Sequence, residues 1–461
     1  MALPKLKFPP GLYRNGTQYE SMGRYYDADL VRWFEGMTRP IGGWVQKSVG
    51  TVTGNARALH TWVDNSSVSR AAIGTHSKLY LMSTAGALTD VTPSGFVAQG
   101  ADSSTWTLDN GGEDLFGVND EEGVIYRWQP GDTLASTLSN APAADSLLHT
   151  DEYIVMAFGA GGDPRKVQWS DTQDPTDWTP TAVNFAGDFR IQTGGSLQAG
   201  RRIRGGILVW TTEDLHIIRY VGLPDVYGRD RVKEDCGLVS RHGAIVLGNR
   251  AYWMSDTKFY MYNGYVTEIP CEIHDDVFKA LNKAQKQKVR AVHIAAFNEI
   301  WWMYPTTGSE NSRIVAYNYM DGTWMHHGLV RLCGIDQGDG FDYPLMVDAS
   351  GAVWEHETGT TKTGAGTPFV RSGPIDIRNG ENLVMVDRVF PDEGTAGDVD
   401  VYFHSRYMPN DTETTHGPFA AANPIPVQFQ ARQVAIELRE NVANDWRVGA
   451  YRADVKSGGR R

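Results

Sequence analysis

A unit made of a strand, a polar turn and an aromatic-rich strand recurs along most of this 461-residue chain. One copy is DLFGVNDEEGVIYRW, from Asp114 to Trp128, with its turn at Asp120 to Gly123. Units begin near residues 57, 103, 145, 197, 239, 289 and 332, and most are preceded by another strand-like run. Four strands in every ~40–50 residues are typical of a β-propeller blade. A single four-stranded sheet cannot bury both of its faces, whereas stacked blades can.

The sequence therefore predicts an all-β fold whose main part is a β-propeller of about seven blades, with six or eight left open. A sandwich remains an alternative, since its turns also recur every ~8–12 residues. We predict three regions: an extended N-terminal arm over 1–55, the propeller over 56–360, and a C-terminal β-sandwich-like domain over 361–461. The Gly/Thr-rich stretch Gly359–Thr367 marks the second boundary. One helix is predicted, over Ile273–Arg290, because acids precede bases along it in the order that suits the helix dipole.

Composition excludes several classes of protein. Aromatic residues make up 11% of the chain, which is too many for a disordered protein. The only three cysteines, Cys236, Cys271 and Cys333, have no metal-binding spacing and are too few for a disulfide framework. No apolar run approaches the ~18–20 residues of a membrane helix, and no signal peptide is visible. We therefore expect a protein that folds in the cytoplasm and does not associate with membranes.

The net charge of −12 argues against a protein that binds nucleic acid by neutralising phosphates. The arm up to Val45 is slightly basic, at +2, and the segment from Gly366 onward is nearly neutral, at −2. The acidity therefore belongs to the repeats. Acidic turns also keep a β-rich surface soluble, so the charge alone does not identify a function.

Motifs for catalysis are absent or weak, so the sequence predicts that the chain is not an enzyme and has no catalytic, metal or cofactor site. GxSxG, HExxH and phosphate-loop patterns do not occur. His326 and His327 are adjacent, and on a strand they would point to opposite faces. WSDTQDPTDW, Trp169–Trp178, resembles the structural Asp-box of sialidase-like propellers, but it lacks the glycine and occurs once. Three arginines are clustered in the sequence rather than distributed as a sialidase site requires: Arg201, Arg202 and Arg204.

Several segments resemble the tail nozzle or hub proteins of short-tailed bacteriophages, also called packaged-DNA stabilisation proteins. They are the arm PPGLYRNGTQYESMGRYYDADLVRWFEGMTRPIGGW, the strand and turn QWSDTQDPTDW, the block RYVGLPDVYGRDRVKEDCGLVS (Arg219–Ser240), the run AYWMSDTKFYMYNG and the closing WRVGAYRADVKSGGRR. Together these segments cover both flanks and the centre of the chain. They are structural motifs, so the resemblance implies architecture and assembly rather than chemistry.

The resemblance implies a virion protein that assembles in the bacterial cytoplasm as a ring of six copies. Such a ring lies below the portal and its adaptor, continues and closes the DNA channel, and holds tail fibres, spikes or a needle. Viral DNA would pass through it without sequence-specific binding, and acidic walls would repel the phosphates. We expect the arm to pack on a neighbouring subunit. The candidate interface residues are its aromatic and basic side chains: Tyr13, Arg14, Tyr25, Tyr26, Trp33 and Trp44.

The alternative function is a propeller that binds glycans, or a sialidase-like hydrolase or depolymerase. The hydrolase requires a pocket on the propeller axis in which arginines and carboxylates converge, whereas a glycan-binding module would use exposed Trp and Tyr side chains as stacking platforms. Propellers support many unrelated functions, so the fold by itself does not choose between the two.

Overall fold

The chain forms a seven-bladed β-propeller and a smaller two-sheet sandwich, so the predicted all-β propeller fold is confirmed. The computed structural model describes residues 5–376, 383–391, 399–409 and 411–457. All seven blades are four-stranded antiparallel sheets, and the predicted count of seven is correct.

The N-terminal segment contributes five short strands, which are shared among different parts of the fold. These are β1 (Lys5–Leu6), β2 (Tyr25–Asp29), β3 (Val31–Phe34), β4 (Met37–Pro40) and β5 (Trp44–Gln46). β3 and β4 pair with each other as a hairpin. The other three strands complete sheets whose remaining strands lie hundreds of residues further along the chain.

Blades 1 to 4 each consist of four consecutive strands. Blade 1 contains β6 (Ala56–Val63), β7 (Ser69–Thr75), β8 (Leu79–Ser83) and β9 (Leu88–Asp90). Blade 2 contains β10 (Trp106–Gly111), β11 (Asp114–Asn119), β12 (Ile125–Trp128) and β13 (Ser136–Thr137). Blade 3 contains β14 (Ser146–His149), β15 (Val155–Phe158), β16 (Lys166–Trp169) and β17 (Gly187–Arg190). Blade 4 contains β18 (Leu197–Ile203), β19 (Gly206–Thr211), β20 (Leu215–Gly222) and β21 (Val226–Lys233).

Blades 5 to 7 complete the circle, and the outermost strand of blade 7 comes from the N-terminal segment. Blade 5 contains β22 (Ala244–Leu247), β23 (Arg250–Met254), β24 (Phe259–Tyr262) and β25 (Val266–Ile269). Blade 6 contains β26 (Arg290–Ile294), β27 (Glu299–Pro305), β28 (Asn311–Asn318) and β29 (Thr323–His327). Blade 7 contains β30 (Cys333–Ile335), β31 (Leu345–Val347), β32 (Val353–His356) and, as its outermost strand, β5.

The innermost strands of successive blades are neighbours around a central axis, and β30 returns to β6, so the ring is closed. Hydrophobic clusters fill the spaces between adjacent blades. Trp106 of blade 2 packs directly against Gly74 of blade 1, where a Cβ would lie only 2.6 Å from the Trp106 Cγ. This contact shows why short glycine-containing strands alternate with aromatic ones in the repeat.

The predicted helix over Ile273–Arg290 is wrong in its length. The structure has one short helix, α1 (His274–Ala280), followed by a 3₁₀ segment over Lys283–Lys288. The α-helix ends at Leu281, whose ψ of 120° is extended. The chain then enters blade 6 at Arg290, because the ring requires an inner strand at that position.

The C-terminal region forms the predicted sandwich, but with strands from the N-terminal segment in both sheets. Its own strands are β33 (Phe369–Ser372), β34 (Ile375–Asp376), β35 (Val384–Phe390), β36 (Val399–Arg406), β37 (Thr414–Ala420), β38 (Ile425–Ala431), β39 (Gln433–Glu440) and β40 (Tyr451–Ser457). One sheet has the order β1-β40-β35-β38, and the other has the order β2-β33-β39-β36-β37, with β34 also paired to β39.

The N-terminal segment, which the sequence analysis predicted as an extended arm over residues 1–55 that packs on a neighbouring subunit, pairs with strands of its own chain. β1 and β2 belong to the sandwich and β5 belongs to the propeller, so the segment connects both parts of its own chain. The physical reason is that an open blade edge and an open sheet edge expose unpaired backbone groups, which these strands cover.

Candidate functional site in the axial pocket

A cavity of about 400 Å³ lies on the propeller axis, bounded by residues from the innermost strands of all seven blades. This volume is in the range of small-molecule sites, ~300–1,000 Å³. Much of its wall is apolar, and the aliphatic residues include Leu108, Leu147, Leu148, Leu247, Val292 and Ile335. Charged and imidazole side chains project among them.

The pocket is closed at one end and open at the other. Residues where the inner strands begin, such as Ala244 and Arg290, are buried. Residues where the inner strands end, such as Leu247, His293 and Asp336, are partly exposed. Solvent therefore enters from the face on which the inner strands end.

Arg290 occupies the closed end and is held entirely by backbone carbonyls. Its Nε donates to the carbonyl of Gly334 at 3.3 Å, and its Nη1 and Nη2 donate to those of Arg57 and Leu59, each at 3.1 Å. These carbonyls belong to blades 7 and 1, so Arg290 of blade 6 joins three blades. Its side chain has no carboxylate partner among the described residues, and burial lowers its pKa.

Arg201 provides a second, partly buried cation in the same pocket. Its Nη1 donates to the carbonyl of Gly200 and its Nη2 to that of Arg241, each at 2.8 Å. Burial and, next, the charge of Arg290 lower the pKa of Arg201 to about 10. The two guanidinium groups therefore repel each other across the pocket.

The pKa of His242 is also affected by the positive charge of these two arginines. Burial, and then the charges of Arg290 and Arg201, hold its pKa well below the ordinary value of 6.5. The ring is therefore neutral at pH 7, and its Nε2 donates to the carbonyl of Trp106 at 2.7 Å.

The open end carries the acids of the pocket, and each has a partner. Asp109 accepts a hydrogen bond from Nη2 of Arg202 at 3.0 Å and another from the backbone N–H of His149 at 2.8 Å. Asp336 contacts Nδ1 of His293 at 2.9 Å. With three arginines and two aspartates among its lining residues, the pocket is positive although the protein as a whole is acidic.

His293 is the side chain at the pocket best placed for proton transfer. When Nδ1 carries the hydrogen it donates to Asp336, and Nε2 lies 3.2 Å from the hydroxyl oxygen of Tyr319, whose own hydrogen is donated to Oδ1 of Asn298 at 3.3 Å. A carboxylate that orients an imidazole in this way is a usual arrangement for a general base. The backbone N–H of Ala295 and of Gln337 also donate to Asp336, which fixes the carboxylate in place.

The structure places the six predicted interface residues within the chain's own fold. Tyr25, Trp33 and Trp44 are buried, with 4%, 0% and 2% of their surface exposed, which corrects their assignment to subunit contacts. Tyr25 packs against Trp33, with ring centroids 5.4 Å apart. Buried side chains already have intramolecular partners and leave no area for a neighbour.

The other three interface candidates are partly exposed, and their assignment stays a prediction. Arg14 pairs with Asp27 at 2.9 Å and lies over the ring of Tyr26. Tyr13 stacks against the guanidinium group of Arg24.

The remaining sequence candidates for chemistry lie away from the pocket. In the Asp-box-like loop, Asp171 accepts a hydrogen bond from the backbone of Phe185 and so holds the loop of blade 3. The sequence also contains pairs of adjacent acids, and one such pair, Asp392 and Glu393, lies outside the described residues. His326 faces a cluster of acids, whereas His327 packs against Trp301, so the pair does point in opposite directions.

Within the described ranges, no group of three or more His, Cys, Asp or Glu is positioned to hold a metal ion. Nor does that part of the chain contain a helix long and apolar enough to cross a bilayer. Burial raises the pKa of the Cys236 and Cys271 thiols to about 12, which makes them poor nucleophiles.

Sequence reasoning missed the pocket because its residues are spread over the whole repeat region. Arg201 and Arg202 were noted only as neighbours in sequence, yet they meet Arg290 and Asp336 on the axis. A signal was available: when the units are aligned by their starts, Arg201, Arg202, Arg290 and Asp109 fall on the innermost strands of their blades, and Asp336 directly follows one.

No protein-family model matches the chain. No curated protein matches it either. Among solved structures, it is similar to virginiamycin B lyase from Staphylococcus aureus, at 10% identity and a TM-score of 0.44 over 68% of this chain and 97% of that one. It is also similar to a puromycin-hydrolyzing peptidase from Mycobacterium tuberculosis, at 11% identity and a TM-score of 0.37 over 72% and 61%. Regucalcin from Agrobacterium tumefaciens, a calcium-binding protein, matches at 10% identity and a TM-score of 0.36 over 55% and 90%.

The prediction that this chain is not an enzyme is corrected. The solved structures to which it is similar include a lyase and a peptidase, so the absence of sequence motifs is no ground for excluding catalysis. These likenesses concern the fold alone and transfer no activity. The axial pocket is lined by arginines and aspartates, the residue types that the hydrolase alternative requires there. That alternative therefore stays a prediction.

Proposed function

We propose that this chain is the subunit of a tail nozzle or hub ring of a short-tailed bacteriophage. In this proposal six copies form a homohexamer in the virion tail, assembled in the host cytoplasm. The ring continues and closes the DNA channel below the portal adaptor, stabilises the packaged DNA until ejection, and anchors fibres, spikes or a needle. The support is the resemblance of several segments to that family, together with one surface feature of the structure.

That feature is the hairpin formed by β20 and β21 of blade 4, which lies in the Arg219–Ser240 block that carries the resemblance. The far half of the hairpin projects beyond its blade, and its tip exposes three apolar side chains. Tyr220, Val221 and Leu223 are 44%, 58% and 49% exposed, and Val183 of the neighbouring blade is 84% exposed. Tyr220 also stacks on Phe185 of blade 3. Contiguous exposed apolar residues of this kind mark protein interaction surfaces.

A ring that closes by rotation needs two different surfaces on each subunit, one for each neighbour. The sandwich provides a second surface at a different place on the propeller. Its strand β2 lies against β29, the outer strand of blade 6, and β5 completes blade 7. Blade 7 is three blades away from blade 4, so the sandwich and the β20–β21 hairpin lie on different sides of the propeller.

The charge distribution is compatible with a channel wall. The repeat region carries the whole net charge of −12, and like charge would let DNA pass without adhering. The axial pocket of a single subunit is closed at one end and positive. A DNA channel would therefore run along the axis of the assembled ring rather than through the propellers.

Oligomeric state tests the proposal directly. Native mass spectrometry and electron microscopy of the purified chain, alone and with its portal adaptor, are expected to give rings of six. We expect the double variant Val221→Lys/Leu223→Lys to remain folded and to lose ring formation. The control is Tyr265→Lys in a turn of blade 5, where the tyrosine is 63% exposed and the ring should persist. A chain that stays monomeric under both conditions, or rings that survive the double substitution, would contradict the proposal.

A further inference from the structure

The closed end of the axial pocket contains two cations without a counter-ion in the described part of the chain. Arg290 is only 9% exposed, and no carboxylate pairs with Arg290 or Arg201. Asp109 is the acid that acts on Arg201, but its carboxylate is bound to Arg202. Placing like charges together out of water is unfavourable unless something compensates them.

Both arginines line the cavity and have N–H groups that are not used in the hydrogen bonds described above. A guanidinium group has five N–H donors. Arg290 donates from its three nitrogens to three carbonyls, and Arg201 donates to two, so each has N–H groups to spare. Spare donors on two guanidinium groups suit an oxyanion such as a carboxylate or a phosphate, which accepts paired hydrogen bonds.

The other walls of the pocket indicate what kind of group would be attached to this oxyanion. The walls next to the arginines are aliphatic, provided by Leu147, Leu148, Val292 and their neighbours. A free inorganic anion would leave these walls against water. A cavity of about 400 Å³ has room for an organic group as well as an anionic head.

We propose that the axial pocket binds a small organic anion, whose carboxylate or phosphate head pairs with Arg201 and Arg290 and whose apolar body packs on the leucine and valine walls. The ligand enters from the end where Arg202 pairs with Asp109, and His293 with its partner Asp336 faces it there. This site does not depend on ring assembly, so the proposal can fail or succeed independently of the proposed function.

Four probes test which anionic head group the pocket binds and whether the ligand also needs an apolar body. They are benzoate, phenyl phosphate, inorganic phosphate and the neutral benzamide. Isothermal titration calorimetry at constant ionic strength is expected to show binding of benzoate or phenyl phosphate. Inorganic phosphate should bind more weakly, because it leaves the apolar walls uncovered, and benzamide should not bind. Preference between the first two probes identifies the head group. Equal binding of benzamide, or no binding of either organic anion, would overturn the proposal.

Matched arginine variants locate the site. Arg201→Gln is expected to weaken binding of the preferred anion at least ~10-fold, because a charge-assisted hydrogen-bonding partner is lost. Arg204→Gln is the control, since Arg204 lies three residues away on the same blade, is exposed, and does not line the pocket. Equal affinity of the two variants would show that the anion binds elsewhere and would overturn the proposal.

A second variant avoids the arginines, in case Arg201→Gln does not fold. Leu247→Trp places a large side chain at the open end of the pocket and leaves both guanidinium groups in place. It is expected to abolish anion binding while the wild-type circular dichroism spectrum is retained. A folded Leu247→Trp protein that binds the anion as tightly as the wild type would contradict an axial site.

Discussion

At the scale of single residues, Arg32 is the side chain that connects most of the fold. It is fully buried, donates to both oxygens of Glu299 at 2.9 and 3.1 Å, and donates to both oxygens of Glu357 at 2.6 and 2.7 Å. Glu299 lies in blade 6, and Glu357 follows the last propeller strand, whereas Arg32 comes from the N-terminal segment. The guanidinium group also lies 3.6 Å from the centre of the Phe297 ring.

Replacing Arg32 with methionine should destabilise the protein strongly. The substitution preserves much of the side-chain volume but leaves two carboxylates buried side by side, and breaking a buried ion pair in this way costs about 3–5 kcal/mol. Arg39→Met is the control, because its ion pair with Asp445 is partly exposed and such pairs contribute about 0–1 kcal/mol. Urea unfolding followed by circular dichroism measures both. Similar losses for the two variants would show that Arg32 is not the connection described.

At the scale of elements, β5 determines how the propeller closes. Trp44 pairs with His356 across the ladder between β5 and β32, and their rings stack at 5.1 Å. The indole Nε1 donates to the carbonyl of Thr363 at 2.9 Å, and Arg331 lies over the ring. Blade 7 is therefore closed by a strand from the other end of the chain. Deleting residues 1–45 would remove Trp44 and most of this closure.

The closing strand offers two adjacent positions for a matched test. Trp44→Ala is expected to lower the free energy of unfolding by about 3–5 kcal/mol, as is usual for a large buried aromatic side chain. Val45→Ala on the opposite face is expected to change it by less than ~0.5 kcal/mol, because Val45 is 56% exposed. Urea unfolding of the two variants provides the comparison. A stable Trp44→Ala protein would mean that the ring does not depend on this strand.

At the scale of the whole molecule, one polar cluster connects the N-terminal segment, α1 and blade 6. His326 contacts Asp276 of α1 at 3.0 Å and Asp27 of β2 at 3.5 Å. Arg313 and Arg14 also pair with Asp276, at 2.9 and 3.6 Å. Burial by itself lowers the pKa of His326, but the hydrogen bonds to Asp27 and Asp276 outweigh it and raise the pKa above its ordinary value.

This raised pKa predicts how global stability changes with pH. A histidine whose pKa is higher in the folded state stabilises fully below its unfolded pKa of ~6.5, and this contribution is lost as pH rises through the folded pKa. The difference in free energy of unfolding between wild type and His326→Gln should therefore be largest near pH 6 and shrink toward pH 9. Comparing the two proteins cancels the contributions of the other histidines, including His242, His327 and His356, whose lowered pKa values act in the opposite direction. A difference that is constant or grows with pH would contradict the assignment.

The sequence predictions are accurate where the interacting residues are close together along the chain and wrong where they are far apart along it. Blade starts were predicted within five residues, because a hairpin blade is built from neighbouring strands and turns. The helix after Ile273 was predicted too long, because its last residue, Arg290, begins an inner strand that only the ring requires. The N-terminal segment was predicted to pack on a neighbouring subunit rather than on its own chain, because the pairing of Trp44 with His356 has no local sequence pattern.

By itself, the sequence determined the repeated blade, the number of blades, the C-terminal sandwich and the acidity of the repeats. Each of these depends on composition or on residues close together in the chain. Only the tertiary structure decided which strand closes the ring and that the N-terminal segment packs on its own chain. It also decided that Arg201 and Arg290 line the same positive pocket within an acidic protein. The reason is geometric: a closed ring brings one short strand from each of seven distant units to a single axis, and no local pattern records which side chains meet there.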